Sequence, residues 1–216
     1  MKLRSLQLQT AHLPALIDFY HAGLGLPCSR PQPGVVRFQA GGSSLAFTET
    51  PGFEGIYHFA FNIPHNQTRE AHDWLQQRGI FLIAGPGGNT RIEFESWHAE
   101  ALYFFDPAGN IVELIARRDL PNANTAPFGA DSLLEISEIG VVTPDVPAWT
   151  AQAALNWGIG PFDKSQPGPA FAALGTDSGL FIVVQEGRKW LLTDIAAAAA
   201  PISVQFENDA GQTFTL

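Results

Sequence analysis

Hydrophobic and polar residues alternate along "MKLRSLQLQT" (1–10), a period of two that predicts a strand. In "LPALIDFYHAGLGL" (13–26) the rhythm changes to that of a helix, with a proline in the first turn and a glycine-marked stop. Alternation returns in "GVVRFQA" and "SSLAFTET", joined by Gly41-Gly42 as a hairpin. The succession then recurs. "GIYHFAFNI" (55–63) predicts a strand and "HNQTREAHDWLQQRGI" (65–80) a helix, followed by strands in "RIEFESW" (91–97), "ALYFFD" (101–106) and "NIVELIA" (110–116).

A third pass is the clearest. "LQTAHLPALIDFYHAGLGL" (8–26) and "VVTPDVPAWTAQAALNWGI" (141–159) match without a gap at an offset of 133 residues, sharing Thr10/Thr143, Pro14/Pro147, Ala15/Ala148 and Gly25/Gly158. "AFAALGT" and "GLFIVVQE" complete that pass as a hairpin through Asp177-Ser178. The expected fold class is α+β, with βαβββ modules pairing into a cupped sheet and a third, partly degenerate module appended. Residues 1–118 are expected to form one two-module domain, with modules 1–52 and 53–118. The segment 119–132, rich in Pro, Asn, Gly and Ala, reads as a linker. Residues 133–216 read as the third module, with "DIAAAAAPI" as a short helix or loop and "SVQFENDAGQTFTL" as a C-terminal hairpin.

Composition narrows the function. With 45% hydrophobic and 15% charged residues over 216 positions, the chain can bury a sizeable core. The formal net charge is −9, and Arg117-Arg118 and Arg188-Lys189 are the only basic clumps, so nucleic acid is excluded as a partner. No window approaches the roughly 18 apolar residues of a membrane span, and no secretory h-region opens the chain, so a cytoplasmic location is expected. Cys28 is the single cysteine, which excludes disulfide scaffolds and thiolate metal cages.

Three stretches carry a family resemblance. "FFDPAGNIVELI" resembles the end of a second module in the vicinal oxygen chelate superfamily, where Asp-Pro-x-Gly-Asn-x-x-Glu-Leu is found. "HFAFNIP" resembles the start of that module, and "LPALIDFYHAGLGL" the first-module helix. The superfamily includes glyoxalase I, extradiol dioxygenases, and the fosfomycin and bleomycin resistance proteins. The resemblance implies a divalent metal in the cup between two modules, held by residues of the first and last strands of each. In the second module those positions are His58 and Glu113; in the first they are Ser5 and Ala46, neither of them a competent ligand. Glyoxalases use four such positions, and dioxygenases and fosfomycin-resistance enzymes three, so this chain keeps two. Fold and family do not by themselves fix a reaction.

The residues themselves leave alternatives open. Glu113 lies in an otherwise apolar strand, where an uncompensated charge is costly. A cation, an arginine, backbone donors or solvent would each relieve it. His58 is either a ligand or a satisfied core histidine, and imidazole with carboxylate suits Fe, Mn, Ni or Zn. Ser5, Gln7 and Ala46 are substrate-binding candidates on the first-module side of the cup, with Gln7, on the Ser5 face, otherwise an ordinary polar position. Trp97 and His98 stand at the entrance of the hairpin before Glu113 as substrate-binding candidates, with His98 otherwise a group that completes the metal site, an acid/base or a surface-loop histidine. Tyr103 is a cup-lining donor or a packing residue. Glu138, at the third-module equivalent of Ser5, is either a ligand of a second site or a structural or interface carboxylate, and the latter is favoured because the equivalent of Ala46 there is Phe181. Arg188, beside Trp190, has no assigned role.

The expected function is a metal-dependent lyase, isomerase or ring-cleaving dioxygenase, acting on a small molecule that chelates the metal through vicinal oxygens. No organic cofactor is expected. The alternative is a metal-free, bleomycin-resistance-like binding protein. Exposed edges in the third module would favour a homodimer.

Overall fold

The structure, a computed structural model, describes residues Met1–Leu216. The first segment runs β1 (Lys2–Thr10), α1 (Leu13–Ile17), β2 (Cys28–Gln32), β3 (Val35–Ala40) and β4 (Ser43–Glu49). The second runs β5 (His58–Ile63), α2 (Thr68–Gln77), β6 (Ile92–Phe94), β7 (Ala99–Phe105) and β8 (Ile111–Arg117). The third has β9 (Glu135–Thr143), α3 (Val146–Trp157), β10 (Phe171–Thr176) and β11 (Gly179–Gln185). The hairpin β12 (Ser203–Glu207) and β13 (Thr213–Thr215) closes the chain, and "DIAAAAAPI" forms no helix. No helix is long and apolar enough to cross a membrane.

All strands join one curled α+β sheet whose main path is β2-β3-β4-β1-β9-β5-β8-β7-β6. The first strand of the second segment does not lie beside β1. It pairs antiparallel with β9, while β1 pairs with β12 and touches β9 at a single position, Leu3 opposite Ile136. The cup of the second segment is therefore walled by the third, through β9 and its parallel neighbour β11.

The segment 119–132 makes this arrangement. Asn122 accepts a hydrogen bond from the His65 amide (2.9 Å), Asn66 accepts from the Asn124 amide (2.9 Å), and Gln67 donates to the Ala126 carbonyl (2.7 Å). Phe128 then packs edge-on against Trp74 of α2. The chain is led across α2 and delivered to β9 beside β5, where the Leu134 amide donates to the Asn62 carbonyl (2.9 Å). Gly41 permits the close pass at this point, because a Cβ there would stand 1.8 Å from the Leu134 carbonyl oxygen.

Helices cover one face of the sheet, and the larger apolar core lies beneath them, built around residues such as Tyr20, Phe38, Phe47, Phe59, Phe61 and Phe104. β5 and β8 are buried at every position, which explains their near-continuous apolar sequence. A smaller apolar cluster, with Ala60, Tyr103, Ile111, Ile182 and Trp190, lines the concave side.

Candidate metal centre

The turn between β7 and β8 sets the register of the site. Asp106 accepts from the amides of Ala108 (2.9 Å) and Asn110 (3.0 Å), from the Asn110 side chain (2.9 Å) and from the buried Tyr20 hydroxyl (3.0 Å). Asn110 in turn accepts from the Tyr57 amide (3.0 Å), fastening the turn to the start of β5. Burial still pushes the Asp106 carboxyl above the usual carboxylate range, with these donors opposing the rise. Asp-Pro-Ala-Gly-Asn thus fixes His58 opposite Ile111 and Ala60 opposite Glu113.

Register then gathers three ligating side chains. Residues two apart on a strand share a face, so His58 and Ala60 both point into the cup. Ala60 is paired with Glu113 on one side and with Glu138 of β9 on the other. Its small side chain leaves room above the sheet, and the two longer carboxylates lean over it toward His58. The His58 Nε2 lies 3.6 Å from Glu113 Oε2 and 3.8 Å from Glu138 Oε2. All three residues are buried, and ligand atoms from each lie within 4.8 Å of one another.

The protonation pattern is set by the neighbours. His58 Nδ1 faces the Ile111 carbonyl at 3.2 Å. A ring that donates there turns its Nε2 lone pair toward the carboxylates. Burial, followed by the charge of Glu138, holds the Glu113 carboxyl well above the ordinary range, against donation from Tyr103 and the charge of Arg117. Burial and the charges of Glu113 and Glu138 likewise raise the Tyr103 phenol.

Arg117 stands behind the site, fully buried. It ion-pairs with Glu138 Oε1 through Nη2 and donates from Nε to Ser137 Oγ (3.3 Å). Nη1 lies 3.6 Å from Asp177, and the guanidinium sits 5.5 Å from the Trp97 ring. One Glu138 oxygen is thereby held from behind while the other faces His58.

These side chains close the inner end of a cavity of about 210 Å³. Its walls include Phe94, Trp97, Tyr103, Phe171 and Trp190, and Arg188 also lines it. The Trp190 ring centre is 5.3 Å from that of His58. Gly140 makes room for it, since a Cβ there would meet the indole at 2.6 Å.

Of the residues singled out in the sequence, His58, Glu113, Glu138, Trp97, Tyr103 and Arg188 share this cavity. His98 does not. Its exposed ring pairs with Asp119, Nδ1 to Oδ2 at 3.2 Å. Ser5, Gln7 and Ala46 also stand apart, in the β1–β4 part of the sheet, where Gln7 donates to Thr48 (3.1 Å). The residue that replaces them is Glu138. Its position was visible as the third equivalent of Ser5 and His58, but its last-strand counterpart, Phe181 from the sequence alignment and Ile182 from the register opposite Gly140, is apolar either way and gave no sign of a ligand set.

Comparisons agree with the fold. Residues 2–114 match the family model described as the Glyoxalase/Bleomycin resistance protein/Dioxygenase superfamily. No sequence among the curated proteins matches significantly. Among solved structures, a protein of Bacillus subtilis subsp. subtilis strain 168 with a provisional dioxygenase name is 15% identical, with TM-score 0.63, over 98% of this chain and 72% of that one. A point mutant of glyoxalase I from Zea mays is 14% identical, with TM-score 0.56, over 85% of this chain and 67% of that one. At these identities the structures speak for the fold alone. The match over more than half of its length, together with this architecture, places the chain in the glyoxalase/bleomycin resistance/dioxygenase superfamily.

Proposed function

We propose that the protein is a metal-dependent enzyme of the glyoxalase/dioxygenase type, with His58, Glu113 and Glu138 as the protein ligands of one divalent ion. The observation that carries the reading is the convergence of an imidazole nitrogen and two carboxylates on one buried point, with Arg117 the only nearby full cation among their contacts. First-row divalent ions hold N and O donors at about 2.0–2.2 Å. Neighbouring donors then lie about 3–3.5 Å apart, so spacings of 3.6 and 3.8 Å require only small side-chain movements. One nitrogen and two oxygens suit Fe, Mn, Ni or Zn.

When bound, such an ion supplies Lewis-acid stabilisation of charge developing on substrate oxygens. The chain's own residues do the rest. Ile111 fixes the His58 tautomer, Arg117 aims Glu138, and the aromatic walls exclude water and orient a flat substrate. Tyr103, paired with Glu113, places a hydroxyl beside the reacting end. The cavity is smaller than the roughly 300–1,000 Å³ pockets of drug-sized ligands, which points to a single ring or short chain.

Electron paramagnetic resonance of Mn(II)-reconstituted protein tests this reading. A bound-Mn spectrum that changes on adding catechol, a vicinal dioxygen probe, supports it. A spectrum of free aqueous Mn(II) at stoichiometric loading contradicts it.

One observation favours a second reading, a metal-free small-molecule binding protein. Glu138 is paired with Arg117, and burial favours the neutral form of Glu113, so the cavity floor carries little uncompensated charge without an ion. Catechol binding to chelator-treated protein at unchanged affinity would select it.

A further inference from the structure

The cavity that holds the three ligands has a second charged end. Arg188 lines it together with Phe171, and its guanidinium carbon lies 5.1 Å from the centre of the Phe171 ring. Its backbone is fixed on both sides. The Arg188 amide donates to the Gln185 carbonyl (3.1 Å) and its carbonyl accepts from the Ala197 amide (2.8 Å). The side chain, by contrast, is exposed and has no carboxylate within ion-pairing distance; its one hydrogen bond is a long one, 3.4 Å, to the neighbouring Lys189 carbonyl. The adjacent Lys189 is already paired with Asp194. Arg188 is thus the cavity-lining cation left without a partner, held on an aromatic face that orients its fork.

We infer that Arg188 is the specificity-determining residue of this cavity and that it binds a carboxylate on the substrate. The substrate class is a small acid whose flat apolar body lies between Phe171 and Trp190, with its oxygens at the His58 end and its carboxylate at Arg188. Net charge agrees with this. Arg188 places an unpaired positive charge in the lining of this cavity, within a chain whose formal net charge is −9. An anion is therefore drawn to this cavity while the rest of the surface repels it. The inference rests on the cavity being the small-molecule site proposed above.

Calorimetric titration of the Mn-loaded protein with catechol and with 3,4-dihydroxybenzoate, a pair differing only in the carboxylate, tests it. Wild type should bind the acid about tenfold more tightly, the gain expected from one guanidinium–carboxylate contact at a partly wet site. Arg188→Gln should bring the acid down to the affinity of catechol, and Arg188→Lys should keep part of the preference. Equal wild-type affinities, a preference that survives in Arg188→Gln, or failure of both probes to bind overturns the assignment. Repeating the titrations after chelation separates the two readings. If stripped protein binds both probes as before and the preference still follows Arg188, the metal reading fails and the carboxylate subsite stands.

Discussion

Replacing Arg117 with methionine removes the one buried cation behind the two carboxylates while keeping much of the side chain's volume. Glu138 has little access to solvent to replace that charge, being only 3% exposed. Unit charges about 4 Å apart attract by about 4 kcal/mol at an effective dielectric near 20. The metal-stripped variant can escape the full loss by protonating a carboxyl group. At pH 7, neutralising a glutamate of ordinary pKa near 4.3 costs about 3.7 kcal/mol, which caps the penalty. Breaking a buried pair usually costs about 3–5 kcal/mol, in the same range. For a chain of this size, a loss of 3–4 kcal/mol lowers Tm by about 6–16 °C. The sign with pH follows. At pH 5 the protonation costs only about 1 kcal/mol, so the deficit relative to wild type should shrink as pH falls. Urea denaturation of stripped Arg117→Met and wild type at pH 7 and pH 5, followed by circular dichroism, measures both quantities. Arg117→Met/Glu138→Gln should recover at least half of the loss. A deficit below 1 kcal/mol at pH 7, or one that grows toward pH 5, would refute the electrostatic account.

Glu113→Gln should raise the Tm of stripped protein, because it removes a carboxylate that burial and Glu138 both disfavour, while abolishing metal uptake. The same shift predicts pH dependence. With its folded pKa raised above the ordinary glutamate value, Glu113 contributes stability that is full below the ordinary value and is lost as pH rises through the raised one. Stripped wild type should therefore lose stability relative to Glu113→Gln on going from about pH 5 upward, measured by thermal melts. Asp106→Ala should cost about 3 kcal/mol or more in urea denaturation, since it leaves buried donors from Tyr20 and Asn110 unpaired. Gly140→Ala should force Trp190 away from His58 and weaken catechol binding in the calorimeter. His98→Ala should leave metal content as it is, because that ring faces solvent beside Asp119.

Much of the fold could be read from the alternation of residues and from one turn. Asp106 to Asn110 marks the end of a module because its side chains, not only its backbone, fasten the hairpin to β5. His58 and Glu113 were legible as a pair because β5 and β8 are neighbours within one segment, joined by that turn. Glu138 was not, because its place depends on which first strands pair across segments. That choice is made by contacts of the linker, such as Asn122 with His65 and Gln67 with Ala126, which no periodicity encodes. Arg117 was equally hidden. In sequence it is half of an exposed-looking Arg-Arg pair; in the fold it is fully buried while Arg118 reaches out to Glu93 (2.6 Å).

The central claim is that His58, Glu113 and Glu138 together hold one divalent ion. The most direct test is elemental analysis of tag-free protein after reconstitution and desalting, for wild type and for His58→Ala, Glu113→Ala and Glu138→Ala. The account predicts about one equivalent in wild type and a loss in each variant, Glu138→Ala included. Metal at background in wild type, or full occupancy in Glu138→Ala, would contradict it.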